Sequence, residues 1–126
     1  MFNLFKSKSD NEPKPDLPWH RLTSIEQLTT IAEESKLKAV AIFKHSTRCG
    51  ISRMALRQFE NNFTIPSDQL KLYYLDLLSF REVSNEVGIT FHVLHESPQL
   101  IVIKNGNSVY HASHHNISAS FLEKIV

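Results

Sequence analysis

The sequence predicts an α/β domain: a central mixed sheet flanked by helices, with elements in the order β-α-β-α-β-α-β-β-α. Three observations carry this. Apolar runs of strand length alternate with stretches whose apolar residues recur at helix spacing. Asn105-Gly106, the strongest short hairpin signal, stands between two strand-like runs. Residues Ala39 to Phe63 read as strand, short polar loop, cysteine, helix.

Residues 1–18 are polar, hold three prolines and lack a sustained period, so they are expected to be a flexible tail before a domain spanning 19–126. Trp19 to Leu22 is a short candidate strand. Ser24-Ile25-Glu26-Gln27 fits a capping box, with Ser24 as N-cap and Gln27 at the third helical position. Ile25, Leu28, Ile31 and Ala32 follow at helix spacing, and this helix is expected to end near Lys36. Ala39 to Phe43 is β-branched, aromatic and apolar, the pattern of a strand buried on both faces, and Lys44 to Arg48 reads as a turn. The period then changes: Ser52, Ala55, Leu56, Phe59 and Phe63 form one helical stripe.

Pro66-Ser67-Asp68 is a loop, and Leu70 to Asp76 a strand. Ser79-Phe80-Arg81-Glu82 fits a second capping box, Val83 and Val87 follow, and Gly88 is expected to end that helix as its C′ residue. Ile89 to Ser97 reads as a loop. Gln99 to Lys104 and Ser108 to Ala112 are the hairpin strands. Asn116 is expected to cap a last helix in which Ser118, Phe121, Leu122 and Ile125 share a face. Strands joined through helices are expected to pair in parallel by right-handed crossovers, with the hairpin adding an antiparallel edge.

Composition bounds the function. Lys plus Arg is 14 and Asp plus Glu is 13, a net charge of +1, which gives no reason to expect nucleic acid or an acidic surface as a partner. No apolar run approaches the ~20 residues of a membrane span. One cysteine excludes an internal disulfide and a cysteine-rich zinc site. No apolar h-region marks a secretory signal, so a reducing cytoplasm is the expected compartment, and a monomer the expected state.

That cysteine, Cys49, falls at the first turn of the second helix. The first backbone N–H groups of a helix lack internal partners, and the macrodipole adds positive potential there. Both favour the thiolate, which is the nucleophile of thiol–disulfide exchange. Arg48 adds a positive charge, and the hydroxyl of Ser52, three residues on, can reach back to the sulfur. An inert buried thiol is the competing reading.

The element order matches the thioredoxin fold, with the cysteine after the second strand. Pro98 stands directly before a strand, where such folds place a cis-proline facing the active thiol. The Gln99 strand then begins at the thiol end and the Asn105-Gly106 turn lies at the far end. The return strand therefore carries His114 or His115 back toward Cys49, where either could be a positive neighbour or proton carrier. His45 is nearer in sequence, or simply caps the strand end. His111, His114 and His115 cluster, but no acidic or cysteine partner lies nearby in sequence, and no metal is assigned to them.

The segment Phe43-Lys44-His45-Ser46-Thr47-Arg48-Cys49-Gly50-Ile51-Ser52 resembles the active-site segment of the YtxJ-like monothiol bacilliredoxins. So do Ser97-Pro98-Gln99, Ile103-Lys104-Asn105-Gly106 and Tyr110-His111-Ala112-Ser113-His114, and the resemblance runs from about Trp19 to Val126. It implies a thioredoxin-like protein acting on mixed disulfides between bacillithiol and client cysteines. Cys49 would be the nucleophile with Ser52 beside it, and Thr47, Arg48, Gly50, Ser97 and Pro98 would line the substrate site. The implied partners are S-thiolated client proteins and a low-molecular-weight thiol as co-substrate, with no resident cofactor. One departure stands out: Gly50 occupies a position where the family usually has proline. A non-catalytic thioredoxin-like binding or stress protein with an oxidisable Cys49 stays open as an alternative, and a histidine-based metal protein as a third.

Overall fold

The computed structural model describes residues 12–126. Most of the expected flexible tail, residues 1–11, lies outside the described residues. Residues 12–18 lie against the domain: the Lys14 backbone N–H donates to Glu60 Oε2 at 2.7 Å, and Glu12 pairs with Arg21 at 2.9 Å.

The elements are β1 (Trp19–Arg21), α1 (Gln27–Glu34), β2 (Ala39–His45), α2 (Gly50–Asn62), β3 (Leu70–Asp76), α3 (Arg81–Phe91), β4 (Gln99–Lys104), β5 (Asn107–Ser113), a 3₁₀ turn (His114–Asn116) and α4 (Ala119–Leu122). The strands form one sheet in the order β1-β3-β2-β4-β5. β1 and β2 both pair with β3 in parallel, as helix-linked strands should. β4 departs from that expectation and runs antiparallel to β2. The registers show why: β3 leaves the sheet where His45 faces Asp76, and β4 enters where Lys44 faces Gln99. The chain therefore returns through α3 to the end it left, and the next strand must run the opposite way.

Side chains alternate across the strands, so each sheet face carries its own core. On one face Ala39, Ala41 and Phe43 pack with Ala55, Leu56 and Phe59 of α2 and Leu122 of α4. On the other, Val40 and Ile42 pack with Leu28 and Ile31 of α1 and Val83 and Val87 of α3. The same alternation sends Lys44 toward α3 and His45 toward α2.

Several helix ends differ from the sequence expectation. At α1 only half of the capping box forms: Gln27 Oε1 accepts from the Ser24 and Thr23 N–H groups, while the Gln27 N–H donates to the Ser24 carbonyl instead of its hydroxyl. At α3 the second box is absent, because the Ser79 hydroxyl donates to Asp76 Oδ2 at 3.0 Å and Phe80 is the N-cap. Gly88 lies inside α3 and does not end it. His92 is the left-handed cap at φ 59°, and Gly88 is required by close approach, since a Cβ there would sit 2.8 Å from the Val93 carbonyl oxygen. The last helix is capped by Ser118, whose hydroxyl accepts from the Phe121 N–H at 3.2 Å, while Asn116 belongs to the 3₁₀ turn. The hairpin turn has Asn105 at φ 53° and Gly106 at φ 78°, the left-handed pair such a two-residue turn needs. No helix among the described residues is long and apolar enough to cross a membrane.

Candidate functional site

β2 continues two residues past its apolar run, into Lys44 and His45, both fully buried. Their charge and polarity read as loop, yet each finds partners. Lys44 Nζ donates to the Ser84 carbonyl of α3 at 3.1 Å and lies 3.3 Å from His95 Nδ1. Burial pushes the Lys44 ammonium down to about 8. His45 points to the other face. Its Nδ1 lies 2.7 Å from Ser52 Oγ, and its ring packs against Tyr74. Burial lowers its pKa to about 4, outweighing the nearby Asp76, so the imidazole is neutral at pH 7.

The chain then turns. The Cys49 N–H donates to the Ser46 carbonyl at 3.2 Å, which places half-buried Thr47 and exposed Arg48 at the corner. Cys49 is the N-cap of α2, extended at φ −109° and ψ 123°, and its carbonyl accepts from the Arg53 N–H at 3.0 Å. Its partly exposed thiol makes no cap bond of its own. Exposed Gly50 is the first helical residue. Ser52, two further on, is fully buried. Its hydroxyl oxygen accepts from the Ser46 N–H at 3.0 Å and meets His45, so its bonds run to the end of β2 and not to the sulfur as expected.

The second segment enters from β4. The Ser97–Pro98 bond is cis, Pro98 is buried and Ser97 half-buried. Because Gln99 pairs with Lys44, Pro98 stands level with His45, at the sheet end from which the thiol turn departs. Buried Gln99, unremarked in the sequence, organises this loop. Its amide Nε2 donates to the Leu94 carbonyl at 2.9 Å, and Oε1 accepts from the Glu96 N–H at 3.4 Å. The Ser113 hydroxyl donates to the Glu96 carboxylate.

The return strand does reach this end, but through its backbone: the His114 N–H donates to the Pro98 carbonyl at 3.0 Å. The side chains of His111, His114 and His115 are exposed, and none bonds to Cys49 among the described residues. No group of three metal-holding side chains is present among the described residues. Beyond the thiol, the outward face of α2 forms an open groove of about 660 Å³ lined by Gly50, Ile51, Arg53, Met54, Arg57 and Gln58. Ile51 and Met54 are 61% and 64% exposed there, so the ground beside the thiol is apolar with a cationic border.

A thiol at an open helix start, at the same end of the sheet as the proline loop and next to an apolar surface, suits attack on a disulfide held by a partner. The comparisons agree with this geometry. The family model "Monothiol bacilliredoxin BrxC" matches residues 20–122. A solved structure described as a proposed oxidoreductase with a thioredoxin fold is 33% identical, with 85% of this chain and 92% of that one covered and a TM-score of 0.72. Thioredoxin from Malassezia sympodialis is 22% identical over 90% of each chain, with a TM-score of 0.65. Thioredoxin from Fasciola hepatica is 17% identical, covering 84% of this chain and 94% of that one, with a TM-score of 0.63. These two thioredoxins share the fold.

Proposed function

Because the chain belongs to the monothiol bacilliredoxin family and works by thiol–disulfide redox chemistry, we propose that it removes bacillithiol from mixed disulfides on client proteins. The Cys49 thiolate attacks the bacillithiol sulfur. The bond between that sulfur and the client cysteine breaks, and the client leaves as a thiolate that takes a proton from water. A disulfide between Cys49 and bacillithiol replaces it, so one disulfide is exchanged for another and no electron is lost.

The chain has one cysteine, so this disulfide is opened by an external thiol. That thiol attacks the bacillithiol sulfur and returns Cys49 as the thiolate. Bacillithiol is thus a co-substrate, and the reaction uses no resident cofactor. The client lies as an extended segment beside Ser97 and Pro98, with Thr47, Arg48 and Gly50 bounding the sulfur, and the setting is a reducing cytoplasm.

The observation that carries this reading is the placement of Cys49 as the N-cap of α2 with its side chain unused by the cap. Cys49 stands at the helix start, where the first backbone N–H groups have no helical partner. To test it, a client protein carrying bacillithiol is mixed with the wild-type chain, and client free thiol is titrated over time. Client thiol is expected to appear with the wild type and not with Cys49→Ser. Release by both proteins alike would overturn the reading.

A further inference from the structure

The bonds around Ser52 fix more than its position. A serine hydroxyl offers one proton and two lone pairs. The Ser46 N–H, 3.0 Å away, occupies one lone pair of Ser52 Oγ. His45 Nδ1, 2.7 Å away, either donates into the second lone pair or accepts the hydroxyl proton.

The far side of the imidazole decides between these. His45 is fully buried, and among the described residues nothing pairs with its Nε2. Burial keeps the ring neutral at pH 7, so it carries a single ring proton. On Nε2 that proton would be a buried N–H with no acceptor, an arrangement folded proteins rarely tolerate. On Nδ1 it is satisfied by Ser52.

We propose that His45 is a positioning residue that donates from Nδ1 to Ser52, leaving the Ser52 hydroxyl proton free to serve the Cys49 sulfur. Both lone pairs of Ser52 are then engaged, and its proton is the only remaining valence. Ser52 occupies the third helical position, from which side chains reach back to the N-cap, and the N-cap is Cys49. A turn of the Cys49 side chain brings the sulfur to that proton. The hydrogen bond then steadies the sulfur whenever it carries negative charge, before attack and again as it is displaced by the resolving thiol. This rests on the exchange reaction above for its purpose, but not for its test.

The test reads the ring and the sulfur separately. In the ¹⁵N NMR spectrum of the full chain, His45 is expected to be protonated at Nδ1 and bare at Nε2, and the opposite tautomer would overturn the proposal. Alkylation of Cys49 by iodoacetamide, which needs no bacillithiol, reports the sulfur alone, since no other cysteine reacts. Ser52→Ala and His45→Phe are each expected to slow it about three- to tenfold, the worth of one hydrogen bond. His45→Asn, whose amide N–H can take the place of Nδ1–H, should recover most of the rate. The Ser52→Ala/His45→Phe double variant should be no slower than Ser52→Ala. Additive losses, or His45→Asn as slow as Ser52→Ala, would overturn it. If His45→Phe fails to fold by circular dichroism, the tautomer and the His45→Asn rate still decide. Absence of bacillithiol transfer with these signatures intact would remove the exchange reading and leave the pair standing.

Discussion

His45 Nδ1 and Ser52 Oγ lie 2.7 Å apart, with both side chains sealed from water, and this contact joins the end of β2 to the first turn of α2. Burial at this junction favours the neutral imidazole, since a charged ring would lose its hydration. Burial holds the His45 pKa near 4 in the folded chain, whereas in the unfolded chain it titrates near 6.5. Between those values the unfolded state binds more protons, so His45 removes stability as pH falls from about 6.5 toward 4 and has no effect above that window. Urea unfolding of wild type and His45→Asn at pH 7 and pH 5 checks this. Wild type should lose more stability than the variant on acidification; parallel losses would contradict the buried neutral imidazole.

Gly50 opens α2. Its place as first helical residue is one where proline fits, and Cys49 already holds the extended conformation that a following proline demands. A Cβ at Gly50 meets only Arg53 Nη2, at an ordinary 3.6 Å. Gly50→Pro should therefore stabilise the domain by about 0.4–1 kcal/mol by restricting the unfolded chain. A lowered midpoint of thermal unfolding would show that this turn needs glycine.

Glu60 should matter more to stability than its place in a helix suggests. Its side chain is fully buried. Oε2 accepts from the Lys14 backbone N–H at 2.7 Å and the Trp19 indole at 2.9 Å, and Oε1 from Arg57 at 3.0 Å. Trp19 in turn packs between Phe43, Phe59 and Tyr74. Glu60→Ala strips an acceptor from these donors and should cost about 1–3 kcal/mol in urea unfolding, with altered Trp19 fluorescence. A loss below about 0.5 kcal/mol, the range of an ordinary surface change, would contradict this.

The sequence was legible wherever short-range pattern and tertiary need agreed. The alternation across β2 assigns Val40 and Ile42 to one core and Ala41 and Phe43 to the other. Asn105-Gly106 makes the turn its dipeptide announces, and Ser35 then fastens it by accepting the Asn105 and Gly106 N–H groups, each at 2.8 Å. What pattern misses depends on distant partners. Lys44 reads as a loop residue because its Ser84 carbonyl and His95 lie 40 and 51 positions away. Gly88 looks like a helix terminator, but its lack of a side chain answers the approach of the Val93 carbonyl, and the left-handed residue is His92. At the site, the position of Cys49 followed from local order, while the partner of Ser52 did not, because burial of His45 is a tertiary fact. His114 and His115 reached the expected end of the sheet, but their imidazoles, like that of His111 within β5, are turned to solvent.

Under the proposed exchange, Cys49 takes up a small thiol and gives it back. The most direct measurement is the intact mass of the chain after mixing with a bacillithiolated client, before and after addition of a reduced small thiol. Exchange gives a gain of one bacillithiol, mapped to Cys49, and its loss on addition of the thiol, ready for another cycle. A mass that never changes, while a dithiol thioredoxin reduces the same client under the same conditions, would contradict it and leave a non-catalytic binding protein in its place.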